Sequence, residues 1–242
     1  MERASLSDKV DDRLNDQYFT FMGGRYPYLR HPHNNTWINE RTVEVPFFWD
    51  LVNQFQGKPI LEVGNVLSQY YPIAHVIVDK YELAPRVQNE DVVEFTHPQE
   101  YALIISISTL EHVGWDEQPR DPSKCICAVH NMKKHLAPGG LMVVSIPVGQ
   151  NLFLDQCLVE GILGFTSVKY LKRVPVVWND DVWIPKDRDQ IKGLPTEWLP
   201  NLPQLFPGNA WVECVQEEIK GIVYGHPFPC ANALAIASVY NL

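Results

Sequence analysis

Four short runs of consecutive apolar, largely β-branched residues punctuate the middle of the chain: Pro59 to Val63 (PILEV), His75 to Asp79 (HVIVD), Ala102 to Ser108 (ALIISIS) and Leu141 to Pro147 (LMVVSIP). Continuous rather than alternating apolarity marks strands buried on both faces, the habit of parallel sheets. Around them the spacing turns helical. From Asn39, the positions Val43, Phe47, Leu51 and Phe55 recur four apart and predict a helix with one face on the sheet, despite Pro46 near its start. In DPSKCICAVHNMKKHLAPGG, Asp121 can cap a helix and Pro122 suits its first position. Cys125, Val129, Met132 and Leu136 form its apolar stripe, stopped by Pro138, Gly139 and Gly140. DQCLVEGILGF and TSVKYLKRV add a further helix and strand. Strand, helix, strand repeated this way predicts a parallel sheet with right-handed crossovers, whose ligands bind beyond the carboxyl ends of the strands. The site is therefore expected after Val63, Asp79, Ser106 and Pro147.

The flanks differ from this core. A charged leader, residues 1–16, is expected to fray, and residues 17–242 to form one domain, the common outcome at this length. Phe19 to Trp37 is an aromatic loop carrying His31 and His33. Residues 174–230 hold eight prolines and four tryptophans (Trp178, Trp183, Trp198, Trp211), too apolar for a linker and too rich in proline for regular helices. An ordered cap over the site is the favoured reading, and a homodimer interface the rival one.

Charge narrows the partners. With 29 acids against 20 bases and a formal charge of -9, the chain has no basic run to release counterions from a phosphate backbone, so nucleic acid is a poor partner. No stretch reaches the roughly 18 apolar residues of a membrane span, and the leader lacks the apolar centre of a signal peptide. Five unpatterned cysteines fit a reducing compartment, so a cytoplasmic protein acting on a small molecule is expected. His31 and His33 lack a third spaced ligand, and no metal is expected.

The strand ends carry residue types suited to a nucleoside ligand. Glu62 and Gly64 sit at the first end, an acid followed by a glycine that lets backbone approach a ligand closely, with Asn65 next along the turn. Asp79 ends the second strand where a carboxylate can accept ribose hydroxyls, and Glu82 is a neighbour able to substitute. In NEDVVEF, Asp91 can meet an adenine amino group while Val92 packs on the ring. Each position also has a structural reading: a turn at Gly64, solvation at Asp79 and Asp91, and a backbone amide held by Glu62.

The order LEVG, VIVDKYE, NEDVVEF, YALIISISTLEHVGWDE, HLAPGGLMVVSIPVG resembles the class I S-adenosylmethionine-dependent methyltransferases. GNVLSQY, STLEHVGWDE and the late PFPCANALAI are similar to a methyltransferase-like subgroup, some of whose members resemble proteins found among glycan-synthesis enzymes. The resemblance runs from about Trp37 to Leu242. It implies a Rossmann-like, seven-stranded, mostly parallel sheet whose last strand, Ala233 to Tyr240, runs antiparallel, with the cap inserted before it. It also implies S-adenosylmethionine as cofactor, bound by Glu62, Gly64, Asn65, Asp79, Asp91, Val92, Ile107 and Ser108. Two features depart from the family: the GxGxG loop keeps only Gly64, and Gly64 to Ala74 leaves room for a very short first helix.

Methyl transfer to a hydroxyl needs positioning and a base. His112, after the fourth strand, is the first candidate, with Glu111 beside it. On an extended segment the two would point opposite ways, and a scaffold role for Glu111 is favoured. A non-catalytic binding module and an NAD-dependent oxidoreductase are the alternatives, the latter disfavoured by the missing glycines.

Overall fold

The computed structural model describes residues 18–175, 209–228 and 230–241 and begins with a hairpin of β1 (Tyr18–Phe21) and β2 (Gly24–Pro27). Its two turn residues, Met22 and Gly23, both have positive φ (50° and 77°), the handedness that matches strand twist. Alternation turns Phe19 and Phe21 inward onto the next element, α1 (Arg41–Gln54). The expected aromatic loop is thus partly a core hairpin.

α1 buries more of its circumference than the predicted stripe. Val43, Val45, Phe48 and Val52 are buried, whereas Phe47, Leu51 and Phe55 are only half-buried. The helix lies between sheet and hairpin, so Phe47 packs edge-on against Phe21 and Tyr26, at 5.3 and 5.7 Å. Pro46 has no amide to offer the Thr42 carbonyl one turn back. Leu29 N donates to that carbonyl instead, at 2.9 Å, which tethers the loop after the hairpin to the helix.

The main sheet follows: β3 (Ile60–Val63), β4 (Val76–Val78), β5 (Val87–Gln88), β6 (Tyr101–Ile107), β7 (Leu136–Pro147), β8 (Ser167–Pro175), β9 (Asn209–Cys214) and β10 (Ala233–Tyr240). Their order is β5-β4-β3-β6-β7-β10-β8-β9, eight strands rather than the expected seven. Pairing is parallel from β5 through β7 and antiparallel on both sides of β10 and between β8 and β9. The extra strand is β9, from the segment expected to be a cap. It pairs along β8, and Trp211 is buried in the core with its amide donating to Tyr28 Oη at 2.9 Å. Residues 176–208, with Trp178, Trp183 and Trp198, and the leader 1–16 lie outside the described residues.

α2 (Lys124–Lys134) and α3 (Leu152–Val159) cover the face opposite α1. Cys125, Val129 and Met132 of the expected stripe are buried on α2, whereas Leu136, also buried, is the first residue of β7. α2 begins two residues after Pro122, because Asp121 binds the Ser123 amide and hydroxyl instead of capping the helix. Pro138, Gly139 and Gly140 do not precede β7 but form an irregularity within it, between the Tyr101–Leu136 and Leu103–Leu141 pairs. A single 3-10 turn, Leu67–Gln69, links β3 to β4, the short connection that the spacing demanded. From β3 the chain steps outward through β4 and β5, then returns to β6 on the other side of β3. That reversal opens a crevice at the carboxyl ends of β3 and β6.

Candidate active site

A cavity of about 470 Å³ occupies this crevice. Its apolar wall is Val63, Val66, Val78, Val92 and Val113, and its polar rim includes Asn65, Asp79, Glu82, Asp91, Ser108, Thr109 and His112. The volume suits a small-molecule ligand. Gly64 holds φ +88° where β3 meets β6, and a Cβ there would lie 2.1 Å from Thr109 Oγ1. Glycine is therefore required twice, by conformation and by close approach.

Glu62 does not line the cavity. It is fully buried beneath it, where Oε1 accepts from the amides of Val66 (2.9 Å) and Leu67 (2.8 Å) and Oε2 meets His75 Nε2 at 2.7 Å. Its oxygens fix the turn that replaces the missing glycine loop. Asp79 is similarly committed: Oδ2 accepts from Asn65 N at 3.2 Å, and Oδ1 from Tyr81 N and Glu82 N at 2.9 and 2.8 Å. These bonds fold residues 79–82 so that Glu82 turns back over the cavity. Glu82 Oε1 accepts from Asn65 Nδ2 (2.7 Å) and Gln69 Nε2 (2.6 Å), and Oε2 has no bond among the described residues.

Asp91 and Val92 also line the cavity, with Asp91 in a four-charge cluster. Lys124 Nζ lies 2.6 Å from Asp91 Oδ2 and from Glu117 Oε2, and Lys80 Nζ 2.9 and 3.0 Å from the same two oxygens. Partial burial pushes the Asp91 carboxyl up, but the bonds from Lys124 and Lys80 outweigh it and hold the group at about 2. Asp91 is therefore a carboxylate at any ordinary pH.

Ser108, at the end of β6, has φ 39° and sits over a buried polar cluster. Its amide donates to Ser145 Oγ at 3.1 Å, and its hydroxyl donates to Glu44, which in turn pairs with Arg41. Ile107 lies fully buried behind it and contributes only its carbonyl, to Thr109 Oγ1 at 3.0 Å. Burial raises the Glu44 carboxyl above the usual range, against the lowering effect of Arg41. Burial likewise pushes Glu111 well above it, and Glu111 Oε2 has no hydrogen-bond partner among the described residues.

Residues 109–116 form successive turns, with His112 N donating to Thr109 O and Val113 N to Leu110 O, so the segment is not extended. Glu111 and His112 therefore converge rather than diverge. His112 is half-exposed on the cavity rim, with Nδ1 at 2.5 Å from Asp116 Oδ2 and Nε2 at 3.6 Å from Glu111 Oε1. His31 and His33 both set their rings edge-on to Tyr70.

Of the residues singled out from sequence, Gly64, Asn65, Asp79, Asp91, Val92, Ser108 and His112 meet at one cavity, while Glu62, Ile107 and Glu111 stand behind it. Arg41, Thr109, Lys80 and Glu117 also line it and were missed. Arg41 and Glu44 had a visible signal, two charges three apart within an otherwise apolar helix start. Thr109 had none, because its importance comes from Gly64 across the sheet.

No family model matches the chain, and no curated relative does. Among the solved structures to which it is similar are S-adenosylmethionine-dependent methyltransferases. One is the N-methyltransferase NodS from Bradyrhizobium japonicum in complex with S-adenosyl-L-homocysteine, at 14% identity over 84% of this chain and 91% of that one, with a TM-score of 0.38. Another, from Archaeoglobus fulgidus, has 14% identity over 80% and 91% of the two chains and a TM-score of 0.44. A third, from Thermotoga maritima, has 12% identity over 81% and 94%, with a TM-score of 0.40.

Proposed function

We propose that this chain transfers a methyl group from S-adenosylmethionine to a small-molecule acceptor, a hydroxyl of a sugar or glycan precursor. The observation that carries the reading is the charge of the valine-walled cavity: Lys80 and Lys124 balance Asp91 and Glu117, but Asp79, Glu82 and Glu90 remain against Arg41, itself paired with Glu44. A cleft with that excess of acids draws in cations and repels anions. S-adenosylmethionine carries a sulfonium and an ammonium against one carboxylate and suits it. A dinucleotide pyrophosphate does not, and the turn after β3 lacks the further glycines that would cradle one.

The residues fit the donor in detail. The valine wall suits a purine, with Asp91 beside Val92 for its amino group. Glu82, with an oxygen to spare, takes the ribose hydroxyls, and Asp79 positions Glu82. Gly64 lets the donor approach the backbone, and Glu62 keeps that turn in shape. When bound, the donor supplies a methyl on sulfur, which leaves as a neutral thioether. His112 Nε2 accepts the acceptor hydroxyl's proton, while Asp116 holds Nδ1 and orients the ring. Glu111 is a positioning residue behind that imidazole.

The test is thermal melting with S-adenosylhomocysteine. At a hundredfold excess over its dissociation constant, a bound ligand adds about 2.7 kcal/mol, which for a chain of this size raises the melting temperature by roughly 5–10 °C. NAD should leave it unchanged. A rise with NAD and none with millimolar S-adenosylhomocysteine would overturn the reading.

A further inference from the structure

A second cavity, of about 280 Å³, adjoins the first and is lined by His33, Asn34, Gln69 and Tyr70 together with Arg41, Asn65, Val66 and Glu82, the last four shared with the donor cavity. The shared residues place anything in the second cavity directly beside the first. One wall is built with effort. Asn34 and Asn35 are consecutive left-handed residues (φ 58° and 46°), a conformation disfavoured for side chains with a Cβ. Neighbours enforce it: Asn39 Nδ2 donates to Asn34 O at 2.7 Å, and Thr36 Oγ1 accepts from His31 N and donates to Leu29 O. The opposite wall is the 3-10 turn that replaces the first crossover helix, ending at Gln69 and Tyr70. Asn34 and Tyr70 both line the gap between these walls.

The chemistry of this lining is specific. Three carboxamides (Asn34, Asn65 and Gln69), a phenol and an imidazole can each both donate and accept, the pattern that hydroxyl groups satisfy. The two charged groups at the mouth are already engaged. Glu82 is bound by Asn65 and Gln69, and Arg41 is paired with Glu44 and lies in the field of Glu40 and Glu111 as well. The guanidinium is thus committed to Glu44 rather than free to hold a carboxylate or phosphate.

We propose that this second cavity is the acceptor site and that it takes an uncharged, hydroxyl-rich ring compound while rejecting its anionic counterpart. The assignment rests on the neighbouring cavity holding the donor, yet binding of the acceptor class is measurable without any donor present. Arg41, lying between the cavities, marks the boundary across which the two ligands meet.

Saturation-transfer NMR on the full chain tests it, with methyl glucoside, glucosamine, glucuronic acid and glucose 6-phosphate as probes. Methyl glucoside should give transfer, and the two anions should give none. Asn34→Gly is the informative variant, because glycine keeps the left-handed backbone while deleting the carboxamide. It should weaken the glucoside by about three- to tenfold, the scale of one lost neutral hydrogen bond, and leave S-adenosylhomocysteine affinity unchanged. His33→Ala should act the same way. Preference for an anion, exclusive binding of glucosamine, absence of any probe binding, or a glucoside signal indifferent to both substitutions would each overturn the proposal. Loss of S-adenosylhomocysteine binding by the unaltered protein would instead overturn the donor reading, with the probe results standing apart from it.

Discussion

Removing the side chain of Glu62 separates a scaffold acid from a ligand-binding one. In Glu62→Ala, the buried amides of Val66 and Leu67 lose the carboxylate oxygen they share, and His75 loses its partner. An orphaned buried donor costs about 1–3 kcal/mol, so the two amides together cost about 2–6 kcal/mol on that scale. For a chain of 150–250 residues each kcal/mol moves the midpoint by about 2–4 °C, so the melting temperature should fall by roughly 5–20 °C. Glu62→Gln is the control, because its carboxamide oxygen still accepts from both amides and its nitrogen can donate to His75. That variant should melt within a few degrees of the parent and keep its affinity for S-adenosylhomocysteine. Scanning calorimetry with a titration of each variant reads both quantities. If Glu62→Ala melts like the parent, or Glu62→Gln loses the ligand while remaining stable, Glu62 contacts the donor and the scaffold account fails.

Gly64→Ala should cost about 2–5 kcal/mol, combining left-handed strain with overpacking against Thr109, and an unchanged midpoint in thermal melting would refute the close approach. Glu82→Gln should weaken S-adenosylhomocysteine by about 1–3 kcal/mol, the scale of a lost charged hydrogen bond, whereas a larger loss in Asp79→Asn with the melting midpoint unchanged would return the ribose to Asp79. Asp155 offers a pH test, since burial raises its carboxyl to about 6 against the lowering effect of the Gly149 amide. Its native state holds the proton more tightly than the unfolded chain, so its contribution is full below the ordinary carboxyl range near 4 and is lost as pH rises through about 6. Asp155→Asn should flatten that slope in a series of melts from pH 4 to 7 and raise stability above pH 6; an unchanged slope would show that Asp155 is not responsible.

The parallel core was legible because its strands announce themselves by continuous apolar runs, and the brevity of the first crossover followed from counting Gly64 to Ala74. β9 was not legible, since its partner β8 lies across a proline-rich stretch and pairing at that distance leaves no local pattern. The β1–β2 hairpin was readable in principle from Met22-Gly23-Gly24 between aromatic residues, but aromatic density suggested a ligand loop. At the site, residue type alone could not decide roles. An acid at a strand end looks the same whether it binds a ribose, as proposed for Glu82, or backbone amides, as Glu62 and Asp79 do. The pairing of Glu111 with His112 was misjudged because a run of turns, not a strand, follows β6.

The central claim is that the crevice between β3 and β6 holds the methyl donor. Diffraction from crystals grown with S-adenosylhomocysteine addresses it most directly. The account predicts adenine along Val63, Val78 and Val92, ribose hydroxyls on Glu82, and the sulfur facing Ser108 and Arg41. Density for the ligand elsewhere, for instance in the cavity between Trp49 and His75 at the opposite end of the sheet, would contradict it.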